Sequence, residues 1–506
     1  MQVSELFAGS SVERRGPDAE VSALVYDSRK AGPGSLFAAL RGTHVDGHAH
    51  IPAALAAGAS AILMESWGAA DTHAAAYPGV AWLRAADSRL ALAQAAARLC
   101  GDPAARLKLV GVTGTNGKTT TVHLLEGIFA AAGLAPGIVG TLGSRHRGAD
   151  GRLIEVRGGL TTPESVELTR LLADMADAGT QAVAMEVSSH ALAQHRVGGL
   201  AFDVGVFTNL THDHLDYHAT LEAYFAAKAL LVRRYLKDGG TAVLNIDDPR
   251  VAALADERLA GERVVAFSSR ADARARVFVT RTTHRRDGIT LELQVDGASW
   301  QVVSPLLGMF NVENILAAVA TAVALDLPAD AVAAGVAGVV SVPGRLEKVS
   351  RPGEPLVLVD YAHTPDALTK ALAAVRDATP GRLLCVFGCG GDRDPDKRGA
   401  MGEAAAASCD FTVVTNDNPR SEDPALIADA IEAGLRRAGR EVQRDYVVVL
   451  DRADAIAHAL GQATPRDTVL IAGKGHEDYQ IIGGERRFFD DRVQAREVLR
   501  GLRRSS

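Results

Sequence analysis

Cysteine is scarce in this sequence of 506 residues, and long apolar runs and an excess of basic charge are missing from it. Its four cysteines are too few and too widely spaced for a disulfide framework, and no histidine cluster accompanies them to suggest a zinc site. They are Cys100, Cys385, Cys389 and Cys409. We therefore expect free thiols, most of them buried.

The other absences exclude several classes of protein. No apolar run approaches the ~20 residues that a transmembrane helix needs, and the first seven residues lack the basic start and apolar centre of a signal peptide. A net charge of -7 argues against nucleic acid or an anionic membrane as the main partner. With 47% hydrophobic and 23% charged residues, the composition is that of a globular protein, which we expect in the cytoplasm.

The length and the alternation of apolar runs with helical segments predict an α/β protein of three domains. Residues 1–102 are predicted to form a small α/β domain with polar loops at its strand ends. Residues 103–340 are predicted to form a central domain with a mainly parallel sheet and, near residues 277–303, a small antiparallel appendage. Residues 341–506 are predicted to form a doubly wound, Rossmann-like domain.

The strongest local motif lies within residues 109–120. An apolar run ends in a loop with glycines at 114 and 117, followed by Lys118, Thr119 and a helix-like segment. A P-loop needs glycines whose N–H groups surround phosphate, a lysine for the β- and γ-phosphates and a hydroxyl for Mg²⁺. Val112 replaces a glycine of the generic pattern, so the loop is a variant. An ordinary glycine-rich turn is the alternative.

Two polar clusters follow predicted strands of the central domain. Glu186 ends one strand, and a loop rich in histidine and aspartate, residues 208–218, follows the next. In a P-loop fold these strand ends surround the nucleotide, so Glu186 and a histidine of the loop can reach a Mg²⁺ shared with Thr119. A solvated turn is the alternative for the loop. Lys228 lies among alanines and leucines, and the residues alone favour a lysine that extends to water.

Four polar loops follow predicted strands of the third domain and should converge on one crevice. They comprise residues 360–365, 388–394, 416–420 and 473–477. Arg393 and Arg420 can clamp carboxylates, and Glu477 can hold an ammonium group. This combination predicts a pocket for a zwitterionic amino acid.

Seven motifs in combination resemble the Mur ligases, and within them the group that adds the third peptide residue in peptidoglycan synthesis. The resemblance covers nearly the whole chain. The motifs are Thr113-Gly-Thr-Asn-Gly-Lys-Thr-Thr120, Glu186-Val-Ser-Ser-His190, Asp213-His-Leu-Asp216, Gly308-Met-Phe-Asn-Val-Glu-Asn314, Pro343-Gly-Arg345, Asp360-Tyr-Ala-His363 and Gly473-Lys-Gly-His-Glu477.

The resemblance implies a role for each matching residue. The catalytic residues would be Lys118, Glu186, His214 and Lys228. ATP would be bound by Gly114, Thr115, Asn116, Gly117, Lys118, Thr119, Thr120, Asn311, Asn314, Arg345 and Asp360. The UDP-muramoyl-peptide would be bound by Tyr26, Ser28, Thr43, His44, Val45, Thr161, Thr162, Ser188, Gln194 and Arg196. Diaminopimelate would be bound by Arg393, Asp417, Asn418, Pro419, Arg420, Gly473 and Glu477. Mg²⁺ would be held by Thr119, Glu186, His214 and Lys228, the lysine as a carbamate, which turns a cation into an anion.

The implied activity is an ATP-dependent ligase that adds meso-2,6-diaminopimelate to the D-glutamate of UDP-N-acetylmuramoyl-L-Ala-D-Glu. Within the family an intact Asp-Asn-Pro-Arg motif, here ending at Arg420, goes with diaminopimelate, and lysine-adding members differ there. A lysine-adding ligase remains the nearest alternative. Folylpolyglutamate synthase is more distant, and a non-catalytic P-loop switch is argued against by Glu186, His214 and Lys228 together. We expect a monomer.

Overall fold

The computed structural model describes residues 1–42, 45–211, 215–258 and 263–505. The chain divides into two compact units. The first comprises Met1–Phe278 and Leu316–Gly335, and the second comprises Val279–Ile315 and Val336–Ser506. Among the described residues no helix is both long enough and apolar enough to cross a membrane. The prediction of free thiols is confirmed: three cysteines are buried and Cys100 is half-buried.

The first unit begins with a five-stranded sheet in the order β1-β5-β4-β3-β2. Its strands are β1 (Glu13–Arg15), β2 (Ala23–Val25), β3 (Ser35–Ala38), β4 (Ala61–Met64) and β5 (Ala81–Arg84). Only β1, at the edge, runs antiparallel. Its helices are α1 (Val3–Leu6), α2 (Ile51–Ala56), α3 (Gly68–His73) and α4 (Ser88–Leu99). The inner strands are buried on both faces, as expected for a parallel sheet covered by helices.

A larger sheet follows in the same unit. Its strands are β6 (Lys108–Thr113), β7 (Pro136–Gly140), β8 (Gly143–Arg147), β9 (Leu153–Val156), β10 (Ala182–Glu186), β11 (Phe202–Phe207), β12 (Leu236–Asn245) and β13 (Arg263–Ser268). They run in the order β13-β12-β11-β6-β10-β7-β8-β9. Only β8 runs antiparallel to the other strands. The P-loop strand β6 is therefore central, as predicted for a mainly parallel sheet.

Nine helices lie in and after this stretch of the described chain. They are α5 (Pro103–Arg106), α6 (Lys118–Ala131), α7 (Ser165–Asp177), α8 (Ser189–Ala193), α9 (Leu215–His218), α10 (Leu221–Arg234), α11 (Pro249–Arg258), α12 (Phe310–Ala324) and α13 (Ala329–Gly338). The predicted appendage corresponds to β14 (Val277–Arg285), β15 (Gly288–Val295) and β16 (Ala298–Ser304). β15 and β16 pair antiparallel, as the two Asp-Gly turns predicted.

The second unit contains a six-stranded sheet in the order β17-β18-β22-β19-β20-β21. Its strands are β17 (Glu347–Lys348), β18 (Leu356–Asp360), β19 (Leu383–Phe387), β20 (Phe411–Val414), β21 (Tyr446–Val448) and β22 (Thr468–Ala472), followed by a hairpin of β23 (Tyr479–Ile482) and β24 (Glu485–Phe488). The helices are α14 (Pro365–Arg376), α15 (Lys397–Ser408), α16 (Pro424–Arg437), α17 (Arg452–Gln462) and α18 (Asp491–Ser505). Separate apolar clusters join α14, α15 and α16 to one face and α17 and α18 to the other, which confirms the doubly wound prediction.

Candidate active site

The glycine-rich loop connects β6 to α6 in the way the sequence predicted. Gly114 and Gly117 both have positive φ, 143° and 90°, in the region that favours glycine. The carbonyl oxygen of Gly114 accepts hydrogen bonds from the ammonium groups of Lys118 at 2.8 Å and Lys228 at 2.7 Å. Lys118 also donates to the Thr115 carbonyl at 2.9 Å. Two lysines are thus held against one side of the loop.

The end of β11 supports the same loop. The Thr208 hydroxyl donates to the Asn116 carbonyl at 2.6 Å, and the Asn116 N–H donates to Asn209 Oδ1 at 2.9 Å. The Thr115 N–H donates to the Asn209 carbonyl at 2.9 Å. Thr208 and Asn209 were missed by the sequence reasoning, which singled out this segment for its histidines and aspartates. The signal available was their position directly after a buried strand.

Glu186 ends β10 and lies beside β6, in register with Val112. Its side chain is buried, and both carboxylate oxygens accept hydrogen bonds from Thr141: Oε1 from the N–H at 2.9 Å and Oε2 from the hydroxyl at 3.1 Å. The Thr141 hydroxyl is also 3.1 Å from the Thr161 hydroxyl. This chain of contacts joins a residue predicted to hold metal to one predicted to hold the muramoyl-peptide.

Lys228, on α10, is 1% exposed, so the reading of a lysine that extends to water is wrong. Its ammonium group lies 4.5 Å from the centroid of the Tyr224 ring and donates to the Gly114 carbonyl. The helix packs against the strands next to the P-loop, and this turns the side chain into the interior. Pairing with a carbonyl and an aromatic face is what a buried cation requires.

Most residues predicted to hold the muramoyl-peptide form one hydrogen-bonded cluster. The Thr162 hydroxyl donates to the Glu186 carbonyl at 2.9 Å and accepts from the Ser188 N–H at 3.0 Å. Arg196 donates to the Thr162 carbonyl at 2.9 Å and to Gln194 Oε1 at 2.8 Å and 3.1 Å. Arg196 also pairs with Glu164 at 3.0 Å. These contacts hold the Arg196 guanidinium in one orientation beside the Gln194 side chain.

The residues predicted to hold UDP are partly described. The Tyr26 hydroxyl donates to Glu167 on α7 at 2.8 Å, and burial, with Glu167 nearby, raises the pKa of Tyr26. Ser28 starts a short 3₁₀ helix, and Val45 is exposed. Several predicted residues lie outside the described part of the chain: Thr43, His44 and His214, together with His212 and Asp213 of the same loop.

Arg345 and Asp360, the two nucleotide-binding residues predicted in the third domain, lie close together in the second unit. Asp360 accepts hydrogen bonds from the N–H groups of Leu346 and Ala362, both at 2.8 Å. Burial raises the pKa of Asp360, while the charge of Arg345 opposes the rise. The Arg345 guanidinium carbon is 5.4 Å from the centroid of the Tyr361 ring.

Asn311 and Asn314 form a buried pair at the start of α12. Asn314 Nδ2 donates to Asn311 Oδ1 at 2.8 Å, and Asn311 Nδ2 donates to the Leu307 carbonyl at 2.7 Å. Gly308 in the same turn approaches Leu346 closely. The turn that carries both asparagines is therefore anchored beside the segment that carries Arg345.

The loops predicted to bind the amino acid are joined to one another. Asn418 Nδ2 donates to Glu477 Oε2 at 3.0 Å, and the fully buried Lys474 donates to Asn418 Oδ1 at 3.2 Å and to Glu477 at 3.3 Å. Arg420 has a φ of 54° and donates to the Gly391 carbonyl at 2.6 Å. Lys474 was not predicted, although it lies inside the motif that suggested Glu477.

The remaining predicted residues complete this part of the site. Burial raises the pKa of Asp417, and a Cβ at Gly473 would overlap Asp417 Oδ2. The Gly391 N–H donates to the Asn418 carbonyl at 2.9 Å, which ties the 388–394 loop to the 416–420 loop. Pro419 is buried, whereas Arg393 is exposed. The Gly473 N–H also donates to the Asp360 carbonyl at 3.1 Å, so all four predicted loops meet.

Comparison with known proteins gives the family. The family models "Mur ligase family, catalytic domain", "Mur ligase middle domain" and "Mur ligase, glutamate ligase domain" match residues 20–99, 112–322 and 344–475. A protein of Gloeobacter violaceus named UDP-N-acetylmuramoyl-L-alanyl-D-glutamate--2,6-diaminopimelate ligase is 46% identical over 507 residues, which cover 99% of this chain and 98% of that protein. The chain belongs to the Mur ligase family.

Two further comparisons agree with this membership. A protein of the same name from Geobacter metallireducens is 44% identical over 499 residues, covering 96% of this Mur ligase and 95% of that protein. A solved structure of a ligase of that name is 33% identical, covers 99% of both chains and has a TM-score of 0.73. The resemblance seen in the motifs and the three-domain α/β fold are therefore confirmed.

Proposed function

We propose that this Mur ligase is an ATP-dependent, ADP-forming ligase that adds meso-2,6-diaminopimelate to the D-glutamate of UDP-N-acetylmuramoyl-L-Ala-D-Glu. The observation that carries the proposal is similarity over nearly the full length to two proteins named as ligases for 2,6-diaminopimelate. The reaction belongs to cytoplasmic peptidoglycan precursor synthesis, and hence to cell-wall biogenesis, cell shape and division. The enzyme acts as a monomer.

In the proposed division of labour, residues 1–102 bind UDP, residues 103–340 bind ATP and residues 341–506 bind the amino acid. The γ-carboxylate of D-glutamate attacks the γ-phosphorus of ATP, the bond to ADP breaks, and an acyl phosphate forms. The neutral amine of diaminopimelate then attacks the acyl carbon, its nitrogen loses one proton to a base or to solvent, and phosphate leaves as the amide bond forms. ATP is required because a carboxylate is a poor acylating agent and phosphate is a good leaving group.

The protein contributes mainly position and charge. Lys118, at the start of α6, neutralises charge on the transferred phosphoryl group, and the N–H groups of residues 114–120 hold the phosphates. The hydrogen bonds that Thr208 and Asn209 make to Asn116 hold the loop in shape. In the proposed site, the contacts from Thr161 through Thr141 to Glu186 keep the muramoyl-peptide next to the phosphates.

The oxygen donors present fit Mg²⁺, which uses one or two carboxylates together with substrate phosphates. Thr119 and Glu186 would hold the ion, with His214 in the same role, and the ion would neutralise charge on the phosphates. Among the described residues there is no group of three or more His, Cys, Asp or Glu that could hold a metal ion. Lys228 as a carbamate would add an anionic ligand, and its remaining N–H could still donate to Gly114.

Arg420 is the proposed source of selectivity for diaminopimelate. Diaminopimelate has a second carboxylate that lysine lacks, and a guanidinium can pair with it in two parallel hydrogen bonds. Arg420 is half-buried on a loop tied to residues 388–394. Leaving such a cation unpaired against lysine costs about 2–5 kcal/mol, which is enough to reject lysine.

The decisive experiment measures phosphate release by the purified protein with MgATP and UDP-N-acetylmuramoyl-L-Ala-D-Glu, with either meso-diaminopimelate or L-lysine. We expect release only with diaminopimelate, together with a tripeptide product detected by mass. Arg420→Met should raise the KM for diaminopimelate by about 30-fold or more, whereas Arg437→Met, which removes an exposed arginine on α16, should not. Preference for lysine would overturn the substrate assignment, and no turnover with either amino acid would overturn the activity.

A further inference from the structure

A fully buried ion pair lies behind the proposed diaminopimelate pocket. Arg452 is the first residue of α17 and Asp491 the first of α18, and their side chains have no exposed surface. Nε of Arg452 donates to Asp491 Oδ1 and one terminal nitrogen donates to Oδ2, both at 2.7 Å. Asp491 therefore fixes the plane of the guanidinium in a bidentate pair.

The other bonds of Arg452 reach two separate strand ends. One terminal nitrogen donates to the Ala472 carbonyl at 3.0 Å and the other donates to the Asn416 carbonyl at 3.1 Å. Ala472 ends β22, and Asn416 follows β20 by two residues. β19 lies between these strands, so they are about 10 Å apart and share no backbone hydrogen bonds. The Arg452 guanidinium therefore links the ends of β20 and β22, which no backbone hydrogen bond of the sheet joins directly.

Both linked positions lie where proposed binding loops begin. Asn416 leads into the segment that ends at Arg420, and Ala472 leads into the segment that ends at Glu477. Asn418 and Glu477 join these loops near their tips at 3.0 Å. The two loops are therefore joined at the tips by side chains that are proposed to touch the amino acid, and at the base by Arg452, which is not.

Arg452 also influences the charge of the pocket. Burial raises the pKa of Asp417, and Arg452 is the first of the cations whose charge opposes that rise. The charge of Arg452 therefore acts against the effect of burial and favours the ionised carboxylate, the form that can receive an ammonium group. The glycine at 473 lets the Asp417 carboxylate approach the second loop, because a Cβ there would overlap it.

We infer that Arg452 is a positioning residue for the amino acid, with Asp491 as the partner that orients it; the inference rests on the function proposed above. Through the carbonyls of Asn416 and Ala472, Arg452 sets the separation of the two loops and hence the distance between Arg420 and Glu477. That distance must match the span of a diamino acid with two carboxylates. A purely stabilising role explains the pair less well, because apolar replacements of buried ion pairs are often as stable.

The test uses two variants of the full chain and one control. In Arg452→Met/Asp491→Leu both charges leave together, so no buried charge is left unpaired while the two carbonyls lose their donor. Arg452→Lys keeps the ion pair but lacks the planar fork that reaches both strands. The control is Arg376→Met. Arg376 also donates to two carbonyls, those of Thr379 and Gly381, but these lie in the segment that precedes β19, at the opposite end of that strand from the binding loops.

We expect the KM for diaminopimelate to rise about 10-fold or more in the double variant and severalfold in Arg452→Lys, as supporting residues behind a binding group typically contribute about 10–100-fold. The KM values for MgATP and UDP-N-acetylmuramoyl-L-Ala-D-Glu should stay within about twofold of wild type. In Arg376→Met all three KM values should stay at wild-type level, even if its melting temperature falls.

An unchanged KM for diaminopimelate in Arg452→Lys and in a folded double variant would overturn the inference. A parallel rise of all three KM values would also overturn it, because it would indicate general loosening of the protein. If the double variant does not fold, the result for Arg452→Lys decides. Wild-type turnover is measured first with diaminopimelate, so failure of the proposed function is seen there, independently of any variant.

Discussion

Replacing Gly114 by alanine should damage the nucleotide loop far more than an ordinary glycine substitution. At a φ of 143° an L-residue is strained by about 1–3 kcal/mol. The new Cβ would also overlap the Thr208 hydroxyl oxygen, which donates to the Asn116 carbonyl at 2.6 Å. Displacing that buried hydroxyl costs about 1–3 kcal/mol more. The expected total is about 2–6 kcal/mol.

Gly133 provides the matched control, since it follows the other end of the same helix, α6. Its φ of 76° is also positive, but a Cβ there meets nothing within 4 Å. Gly133→Ala should therefore cost only about 1–2 kcal/mol of backbone strain. In a Thr208→Ala background the overlap is removed, so the cost of Gly114→Ala should fall by about 1–3 kcal/mol.

The assay combines urea unfolding of the four variants with the KM for MgATP. The single variant Gly114→Ala should raise the KM for MgATP, because the Gly114 carbonyl accepts hydrogen bonds from both Lys118 and Lys228. Equal destabilisation by Gly114→Ala and Gly133→Ala would refute the overlap argument. So would a cost of Gly114→Ala that is the same with and without the Thr208 hydroxyl.

Two further predictions concern charge. Glu186→Gln keeps the shape of a side chain that accepts two hydrogen bonds from Thr141, but it removes the negative charge. The rate of phosphate release should therefore fall about 100-fold or more, with little change in melting temperature. A variant with wild-type turnover would exclude a role that depends on the charge of Glu186. Burial, with Arg345 nearby, lowers the pKa of His476 to about 4 from 6.5. The unfolded chain then binds more protons between these values, so this contribution to stability is complete above pH 6.5 and is lost as the pH falls towards 4. His476→Gln should remove about 3 kcal/mol of that dependence, measured by urea unfolding at pH 7 and pH 4.5; an identical loss in wild type and variant would contradict this cause.

The sequence predicted the fold well where the pattern is local. Apolar runs between helical segments indicated the α/β class and the doubly wound third domain, because strands of a parallel sheet are buried on both faces. Strand ends were harder to predict: the apolar run at 240–245 predicts a strand, but β12 begins at Leu236, where it pairs with Phe202. Pairing with a neighbouring strand, and not local composition, determines where a strand begins.

Residue type and spacing by themselves determined which groups carry the proposed chemistry: the glycines and lysine of the P-loop, Glu186 at a strand end, and Arg420 and Glu477 in polar loops. Only the tertiary structure decided how these groups are held. Lys228 is buried because α10 packs on the P-loop strands, and Arg452 bonds two carbonyls that lie 56 residues apart in the chain, at 416 and 472. No local sequence pattern encodes such contacts, because hydrogen bonds between distant segments form only once the sheet has brought the carboxyl ends of its strands together.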